Sequence, residues 1–330
     1  MNNVNDEPQS ECQRVVITGI GVYAPQCANT DEFAELLRSG RTAIQEHENV
    51  LQGKSVWAGI IGDHSTSGSA APEELASFDR TAQMGWIAAK QAIDDSQFNL
   101  AEKADRVALT LGTSHGGRSQ FDHFVINNCT AECDDVPRKL LVTAAHYQQT
   151  AAVASMLNIH GPTATLSNAC SSSGAAIAYG IELLRSGKCD LAITGGADGF
   201  SRLTFAGFSA LGAVADGPCA PFSEPVGLSL GDGAGFVTLE TLESARRRGA
   251  KIYAELWGYG LSWDAYHITA PEPSGEGMNR AIKMAVQQSD ITPKEIDYVN
   301  VHGTGTRSND LAETVGLQRY FRNSPPPVSG

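Results

Sequence analysis

Cys170 stands where a strand-like run, Pro162–Leu166, gives way to a helical pattern, Ser171–Arg185. The first N–H groups of a helix lack intrahelical partners and carry partial positive charge, so they lower the pKa of a thiol placed beside them. The same N–H groups can hold a developing oxyanion. Cys170 is therefore a candidate nucleophile, and the alternative for an isolated cysteine is a buried, inert side chain that packs as a small hydrophobe.

His302 is the second candidate for chemistry, because it directly follows a predicted strand, Ile296–Val301, and opens the polar segment His302–Thr306. In α/β proteins, ligands bind at the carboxyl ends of strands. A lone histidine at a strand end can also be purely structural. Since Cys170 also follows a strand, the two residues are a candidate pair of a nucleophile and its proton or oxyanion partner.

The elements that must position these residues alternate between buried apolar strands and amphipathic helices. We predict these strands: Val15–Ile20, Arg106–Leu111, Pro162–Leu166, Leu191–Ala197, Phe236–Glu240, Ile252–Trp257 and Ile296–Val301. We predict these helices: Asp31–Ser39, Asp79–Ser96, Ala144–Leu157, Ser171–Arg185, Glu243–Arg248, Gly277–Ser289 and Asp310–Phe321. The alternation indicates α/β architecture with a mostly parallel sheet.

Two glycine-rich segments look like sites but are interpreted as turns. The sequence Gly19-x-Gly21-x-x-Ala24 imitates a dinucleotide-binding fingerprint, yet Pro25 follows at once and no helix opens on the glycines. A tight turn after the first strand explains it. Gly231–Gly235 is likewise interpreted as a flexible turn into a buried strand.

Composition excludes several classes of protein. The 330 residues are 42% hydrophobic and carry a net charge of −13, which disfavours nucleic acid as a partner. We find no apolar stretch long enough for a membrane span, and the polar, acidic start is unlike a signal peptide, so we expect a cytoplasmic protein. The seven cysteines are an odd number and indicate reduced thiols. Cys129 and Cys133 lack a second ligand pair, so no metal site is expected.

Six segments in order along the chain, from about Val15 to the last residue, together resemble the β-ketoacyl-acyl-carrier-protein synthases. The closest resemblance is to the stand-alone elongating type II enzymes. The segments are Asn168–Ser173, Gly195–Asp198, Gly231–Gly235, Gly249–Leu256, Asp264–His267 and Val299–Thr306.

This resemblance implies a thiolase-like α/β fold, in which two duplicated βα halves pack in alternating layers, and a homodimer. The expected division is a disordered tail at 1–14, an N-terminal half with the nucleophile at 15–250, and the start of a C-terminal half at 251–330. Relatives continue beyond the equivalent of Val328 with a lysine, a second catalytic histidine and a glycine-rich gate. The resemblance therefore predicts a truncated second half, with poor or absent condensation.

The resemblance also implies roles for individual residues. Cys170 matches the nucleophile that accepts an acyl group, and His302 matches a histidine that donates a hydrogen bond to the thioester oxygen. Further positions match threonines that bind the phosphopantetheine arm, carboxylates that orient the site, and a basic pair near the carrier-docking surface: Thr269, Thr304 and Thr306; Asp310 and Glu313; Arg138 and Lys139. No bound cofactor is implied, since acyl carrier protein, the expected partner, supplies the phosphopantetheine.

The reaction that this resemblance implies is a decarboxylative Claisen condensation of the acyl group with malonyl-acyl-carrier protein, in fatty-acid or polyketide-type synthesis. Three alternatives stay open at this stage. One is a non-catalytic chain-length partner subunit, which should lack the nucleophile Cys170. The others are a protein that binds acyl or pantetheine groups without chemistry, and a thiol protease, for which no Asn or Asp partner of the histidine is evident.

Overall fold

A computed structural model describes residues 13–51, 54–62, 71–130, 139–289 and 291–330. The described residues form two compact units, each assembled from separate stretches of chain. The described residues within Met1–Ala43, Ile60–Thr204 and Gly231–Leu256 form the first unit, and those within Ile44–Gly59, Phe205–Leu230 and Trp257–Gly330 form the second. The predicted division of the chain at residue 250 stays a prediction.

Helices and strands alternate along most of the chain. The α-helices are α1 Thr30–Ser39, α2 Arg80–Ser96, α3 Leu100–Lys103, α4 Arg118–Thr130, α5 Lys139–Thr143, α6 His146–Met156, α7 Ser172–Arg185, α8 Arg202–Ala210, α9 Leu242–Arg247, α10 Glu276–Gln287 and α11 Arg307–Tyr320. The strands are β1 Val15–Tyr23, β2 Gln45–Leu51, β3 Lys54–Gly59, β4 Val107–Gly112, β5 Thr163–Leu166, β6 Leu191–Asp198, β7 Leu230–Gly231, β8 Gly233–Thr241, β9 Ala254–Leu256, β10 Val299–Asn300 and β11 Val328–Ser329.

The first unit is built on a six-stranded sheet with the order β5-β4-β6-β8-β1-β9. Strand β4 pairs in parallel with β5 and with β6, whereas the β6–β8, β8–β1 and β1–β9 pairs are antiparallel. The predicted mostly parallel sheet is therefore wrong, and the sheet is mixed. Periodicity identifies a buried strand but carries no information about its direction, which depends on the pairing between distant segments.

Gly19 and Gly21 lie inside β1 and form no turn, which corrects the sequence-based interpretation. A Cβ atom on Gly19 would lie 2.1 Å from the carbonyl oxygen of Ala92, and one on Gly21 would lie 1.9 Å from that of Ala88. Both alanines belong to α2, so the missing side chains let this helix pack directly on the strand. The second predicted turn, Gly231–Gly235, is also wrong, because β8 already begins at Gly233.

Helix α2 packs on the sheet with a buried face of small and apolar side chains, and its N-terminus is capped by Asp79. The Asp79 carboxylate accepts the backbone N–H of Thr81 at 2.9 Å and the Ser119 hydroxyl at 2.5 Å. Such a cap satisfies N–H groups that the helix itself leaves without partners. The core beneath α2 includes the fully buried Leu109 and Ile193 from neighbouring strands.

In the second unit, α10 and α11 pack near a short parallel pair of strands, β10 and β11. Val301, Leu317 and Phe321 form the buried centre of this cluster. Strands β2 and β3 form an antiparallel hairpin, which belongs to a three-stranded sheet with the order β2-β3-β7. Helix α11 begins at Arg307, three residues before the predicted start at Asp310.

Two further expectations concern surfaces and location. Of the basic pair predicted near a docking surface, Arg138 lies outside the described residues, and Lys139 is the first residue of α5. Along the described ranges, no helix combines the length and the apolar character needed to cross a membrane. The location of the protein in the cell stays a prediction.

Candidate active site

Cys170 lies between the end of β5 at Leu166 and the start of α7 at Ser172, so the predicted strand-to-helix transition is present. Its side chain is exposed. The preceding residue, Ala169, has a φ angle of +48°, a left-handed conformation that non-glycine residues rarely adopt. This turn brings the thiol to the N-terminal end of α7, where the helix N–H groups carry partial positive charge.

Two glycines on the neighbouring strands β4 and β6 allow α7 to start close to the carboxyl ends of these strands. Gly112 and Gly196 are register partners at the ends of β4 and β6. A Cβ on Gly112 would lie 2.3 Å from the carbonyl carbon of Ser172, and one on Gly196 would lie 2.7 Å from the Cβ of Ser173. Because neither glycine has a side chain, the first turn of α7 packs on the strand backbones. Cys170, two residues before α7, therefore lies near the carboxyl ends of β4 and β6.

A pocket of about 420 Å³ lies beside Cys170 within the first unit. It is lined by residues from the ends of β4 and β6, the start of α7 and the start of β8: Gly112, Ser114, Cys170, Ser172, Ser173, Gly196, Ala197, Asp198 and Gly231–Gly235. Most of these side chains are small or absent, so an extended ligand has room to approach the thiol. Its two carboxylates, Asp198 and Asp232, were not identified from the sequence as functional residues.

Asp198 ends β6 and binds the segment that follows β4. Its carboxylate accepts the Thr113 hydroxyl at 2.6 Å, the Ser114 N–H at 3.0 Å and the His115 N–H at 2.7 Å. Burial lowers the pKa of the His115 imidazole, and the charge of Asp198 opposes that effect only in part. With several donors already bound, Asp198 holds the pocket wall in place.

Asp232 anchors the neighbouring part of the pocket lining, where β8 begins beside the end of β6. Its side chain has no exposed surface and forms an ion pair with Arg80 at 2.8 Å. It also accepts the backbone N–H of Ile61 at 2.8 Å and that of Phe200 at 2.7 Å. A buried carboxylate with charged and neutral donors fixes a backbone position firmly. The signal that could have revealed both aspartates was their place at strand ends among small residues.

His302 lies in the second unit, two residues after β10 ends, and its side chain is exposed. The Glu313 carboxylate binds the backbone on which the imidazole is mounted, accepting the N–H of His302 at 2.7 Å and that of Gly303 at 2.8 Å. The Asn309 amide donates to the same carboxylate at 2.8 Å. Glu313, from α11, therefore fixes the backbone that follows β10 and carries the His302 side chain.

Asp310, one helical turn before Glu313, also binds backbone N–H groups. It accepts the N–H of Gly305 at 3.2 Å and that of Phe222 at 2.7 Å. The hydroxyls of Thr304 and Thr306 lie 2.9 Å apart in the half-buried part of this loop. The structure thus brings four predicted residues together around the segment that starts at His302, and their predicted roles stay predictions.

Thr269 belongs to a different loop of the second unit and is exposed. Its backbone N–H donates to Nδ1 of His267 at 3.1 Å, and its hydroxyl lies 3.4 Å from the same nitrogen. Nδ1 also accepts the N–H of Ala270 at 3.2 Å. Nδ1 of His267 is therefore a hydrogen-bond acceptor, and two consecutive backbone N–H groups of this loop donate to it.

No group of three or more His, Cys, Asp or Glu side chains in the described part of the chain has the geometry of a metal site. Of the cysteine pair considered from the sequence, Cys133 lies outside the described residues, and Cys129 lies in α4.

We predict that an alkylating reagent distinguishes Cys170 from the buried cysteines. Burial raises the pKa of Cys189 to about 12, and it also raises the pKa of Cys27. At pH 8 a pKa near 12 leaves roughly one Cys189 thiol in 10⁴ ionised, and the thiolate is the reactive form. Brief treatment with iodoacetamide followed by peptide mass spectrometry should find Cys170 modified, with Cys27 and Cys189 unmodified until the chain is denatured. Equal labelling of all three in the native protein would contradict this assignment.

Comparison with known protein families matches almost the whole chain. The model of the β-ketoacyl synthase N-terminal domain matches residues 12–245, and that of the β-ketoacyl synthase C-terminal domain matches residues 253–329. The first match contains Cys170, and the second contains His302.

Individual relatives agree with these matches. The chain is 33% identical over 328 residues to 3-oxoacyl-[acyl-carrier-protein] synthase 2 of Staphylococcus aureus, which covers 94% of this chain and 78% of that protein. It is 34% identical over 327 residues to a putative polyketide beta-ketoacyl synthase 1 of Streptomyces cyaneus, covering 93% of this chain and 77% of the other. Among solved structures, the ishigamide ketosynthase/chain length factor superposes with a TM-score of 0.88 at 30% identity, over 96% of this chain and 79% of that one.

The predicted α/β class and thiolase-like fold are confirmed by the ketosynthase neighbours. The resemblance inferred from six short segments is confirmed by family models that span both parts of the chain. The chain belongs to the β-ketoacyl synthase family.

Proposed function

We propose that this protein is a β-ketoacyl-acyl-carrier-protein synthase, an acyltransferase that forms carbon–carbon bonds with Cys170 as its nucleophile. The observation that carries this proposal is the exposed Cys170 at the N-terminus of α7, on the rim of a pocket, in a chain of the β-ketoacyl synthase family. The non-catalytic alternative is disfavoured by the presence of this thiol. A relative's name, 3-oxoacyl-[acyl-carrier-protein] synthase 2, supports the reaction type.

The first step transfers an acyl group to the enzyme. The Cys170 thiolate attacks the carbonyl carbon of an acyl thioester, a new carbon–sulfur bond forms, and the pantetheine thiolate leaves and takes up a proton. The positive end of α7 stabilises both the thiolate and the oxyanion that forms during the attack.

The second step extends the acyl chain. A malonyl thioester loses carbon dioxide, and the electron pair of the broken bond forms an enolate. The enolate carbon then attacks the acyl-enzyme carbonyl, a carbon–carbon bond forms, and the Cys170 sulfur leaves as thiolate. Negative charge builds on the thioester oxygen during decarboxylation, so a hydrogen-bond donor aimed at that oxygen accelerates the step. We assign this donor to His302.

The remaining residues bind and orient the substrates. Thr269, Thr304 and Thr306 are proposed to hydrogen-bond the phosphopantetheine arm that the acyl carrier protein brings. Asp310 and Glu313 are proposed to orient the segment that bears His302, and their contacts to backbone N–H groups support that role. No resident cofactor is required by these steps.

The partners follow from the same reaction. An acyl carrier protein delivers both thioesters, and a homodimer is the proposed assembly. The solved ketosynthase/chain length factor keeps a second possibility open, in which the partner is a related but different subunit. Size-exclusion chromatography with light scattering on the purified chain, alone and with a chain length factor, distinguishes the two assemblies.

Mass spectrometry of the intact protein tests the acyl-transfer step. After incubation with an acyl-charged acyl carrier protein, the chain should gain the mass of one acyl group, and peptide mapping should place it on Cys170. Subsequent addition of malonyl-charged carrier tests condensation: release of a β-ketoacyl thioester would overturn the expectation, drawn from the resemblance, of poor or absent condensation. Binding of the carrier without an adduct would favour a module that recognises pantetheine without chemistry, and an adduct that persists would separate acylation from condensation.

We predict that replacing Glu313 by alanine slows condensation by roughly tenfold while leaving acylation of Cys170 unchanged. The substitution removes the acceptor of two backbone N–H groups at His302 and Gly303, so the imidazole loses its fixed position, and misplaced catalytic groups are costly. The rates of adduct formation and of adduct consumption, measured separately, check this result.

Thr314→Ala is the matched control for Glu313→Ala. Thr314 lies in the same helix, and its hydroxyl donates to the Asp310 backbone carbonyl rather than to the backbone at His302. Equal effects of Glu313→Ala on both half-reactions would point to general unfolding and would overturn the assignment of Glu313 to His302.

A further inference from the structure

The backbone turn that presents the nucleophile, Asn168–Cys170, is held in an unfavourable conformation; we call it the elbow. Ala169, at its centre, has a φ angle of +48°. L-residues with side chains populate this region sparsely, because the Cβ atom approaches the backbone too closely. Such a conformation persists only where neighbouring contacts determine it.

Most of the contacts at the elbow come from the elbow itself or from the first residues of α7. The Ala169 carbonyl accepts the Ser172 N–H at 3.1 Å and the Ser172 hydroxyl at 2.6 Å. The Asn168 N–H donates to the Ser172 hydroxyl at 2.8 Å. These groups belong to the elbow and the helix end, and the Ser172 hydroxyl also lies 3.3 Å from the Thr113 carbonyl oxygen, just after β4.

Ser114 supplies a contact from outside the elbow. Its hydroxyl donates to the Ala169 carbonyl at 2.6 Å, across 55 residues of sequence. Ser114 and Cys170 line the same pocket. The hydroxyl therefore reaches the carbonyl of the left-handed residue immediately before the nucleophile.

Asp198 fixes Ser114 in turn. Both carboxylate oxygens lie within hydrogen-bond distance of the Ser114 N–H, at 3.1 and 3.0 Å. The same carboxylate accepts the Thr113 hydroxyl and the His115 N–H, so three consecutive residues are bound to the end of β6. This relay connects a rigid strand end with the elbow through one serine side chain.

We propose that Ser114, held by Asp198, is a positioning residue that sets the orientation of the Cys170 thiol toward an incoming thioester. The proposal rests on the proposed function of Cys170 as the acyl acceptor. Ser114 acts through the Ala169 carbonyl and touches no reacting atom. The hydrogen bond is exposed to water, so we expect its loss to cost a factor of a few rather than to abolish the reaction.

Three variants test this role. Ser114→Ala removes the hydroxyl, Ser114→Thr retains it, and Ser186→Ala removes a hydroxyl from the far end of α7, where it donates to the Glu182 carbonyl at 2.6 Å. We expect Ser114→Ala to slow Cys170 acylation by an acyl-pantetheine thioester roughly three- to tenfold at saturating thioester, with KM unchanged. Ser114→Thr should restore the rate, and Ser186→Ala should match the native protein.

A second measurement reports on the elbow without any acyl chemistry. Hydrogen exchange of the Ser171 and Ser172 amides, which donate to the Asn168 and Ala169 carbonyls, should be several-fold faster in Ser114→Ala and unchanged in Ser186→Ala. Alkylation of Cys170 by iodoacetamide, which needs no aligned oxyanion donors, should keep its native rate.

The outcomes separate the positioning role from the proposed function. Native exchange rates at Ser171 and Ser172 in Ser114→Ala would overturn the positioning role whatever the acyl chemistry. A native acylation rate in Ser114→Ala, or failure of Ser114→Thr to restore a reduced rate, would also overturn it. Faster exchange in Ser114→Ala together with no adduct on the native chain would support control of the elbow by Ser114 and contradict the acyl-transfer function instead.

Discussion

Replacing Cys170 by alanine should abolish the acyl adduct and reduce β-ketoacyl product formation by more than about a thousandfold, since loss of a nucleophile removes the covalent path altogether. The fold should survive, because the side chain is exposed and the substitution leaves no buried cavity. Intact-mass spectrometry after incubation with acyl-charged carrier protein measures the first effect, and chromatographic quantification of product measures the second. Thermal unfolding should be close to that of the native chain.

The matched control for Cys170→Ala is Cys219→Ala, which removes a half-buried thiol in the second compact unit. It should retain the adduct and the product-forming rate. Persistence of a stoichiometric adduct in Cys170→Ala, or its loss in Cys219→Ala, would place the nucleophile elsewhere and remove the basis of the proposed mechanism.

Replacing Arg248 by alanine should lower the free energy of unfolding by about 3 kcal/mol, because it leaves the buried carboxylate of Glu240 without its cation. The Glu240 side chain has no exposed surface, whereas that of Arg248 is 24% exposed, and their closest nitrogen and oxygen lie 2.5 Å apart. Arg248 also donates to the Ser96 carbonyl at 2.8 Å and lies over the Phe98 ring. Urea unfolding followed by circular dichroism measures the difference.

Arg247→Ala is the matched control for Arg248→Ala, because it removes a neighbouring arginine whose ion pair is exposed. Arg247 pairs with Glu243 at 3.4 Å, and both side chains are mostly exposed. An exposed pair of this kind contributes little, so Arg247→Ala should change the free energy of unfolding by less than about 0.5 kcal/mol. Similar losses in the two variants would show that burial of Glu240 does not determine the stability of this region.

Local sequence patterns predicted most helices within a few residues, because capping and periodicity act over one or two turns. The helix predicted at Asp79–Ser96 is observed from Arg80, with Asp79 as its cap. The hairpin formed by β2 and β3 was missed, since Gln45–Leu51 is dominated by polar residues and contains little of the apolar alternation typical of a half-buried strand.

Interpretations that depended on distant neighbours were less accurate. Gly19 and Gly21 resembled a turn, but they are places where α2 packs on β1, and nothing within a few residues of them reveals that approach. The direction of the strands was likewise misjudged. Gly231–Gly235 resembled a flexible turn, whereas the buried Asp232 binds Arg80 and two backbone N–H groups that are distant in sequence.

The sequence by itself therefore determined the family of this protein and the place of Cys170 at a strand-to-helix transition, because both depend on residue type and short-range pattern. Only the tertiary structure decided which groups surround the thiol. Ser114 reaches the carbonyl before Cys170 across 55 residues, and Asp232 binds Ile61 across 171. Such contacts arise from the order of strands in a sheet, and that order is set by the packing of the whole chain rather than by any local segment.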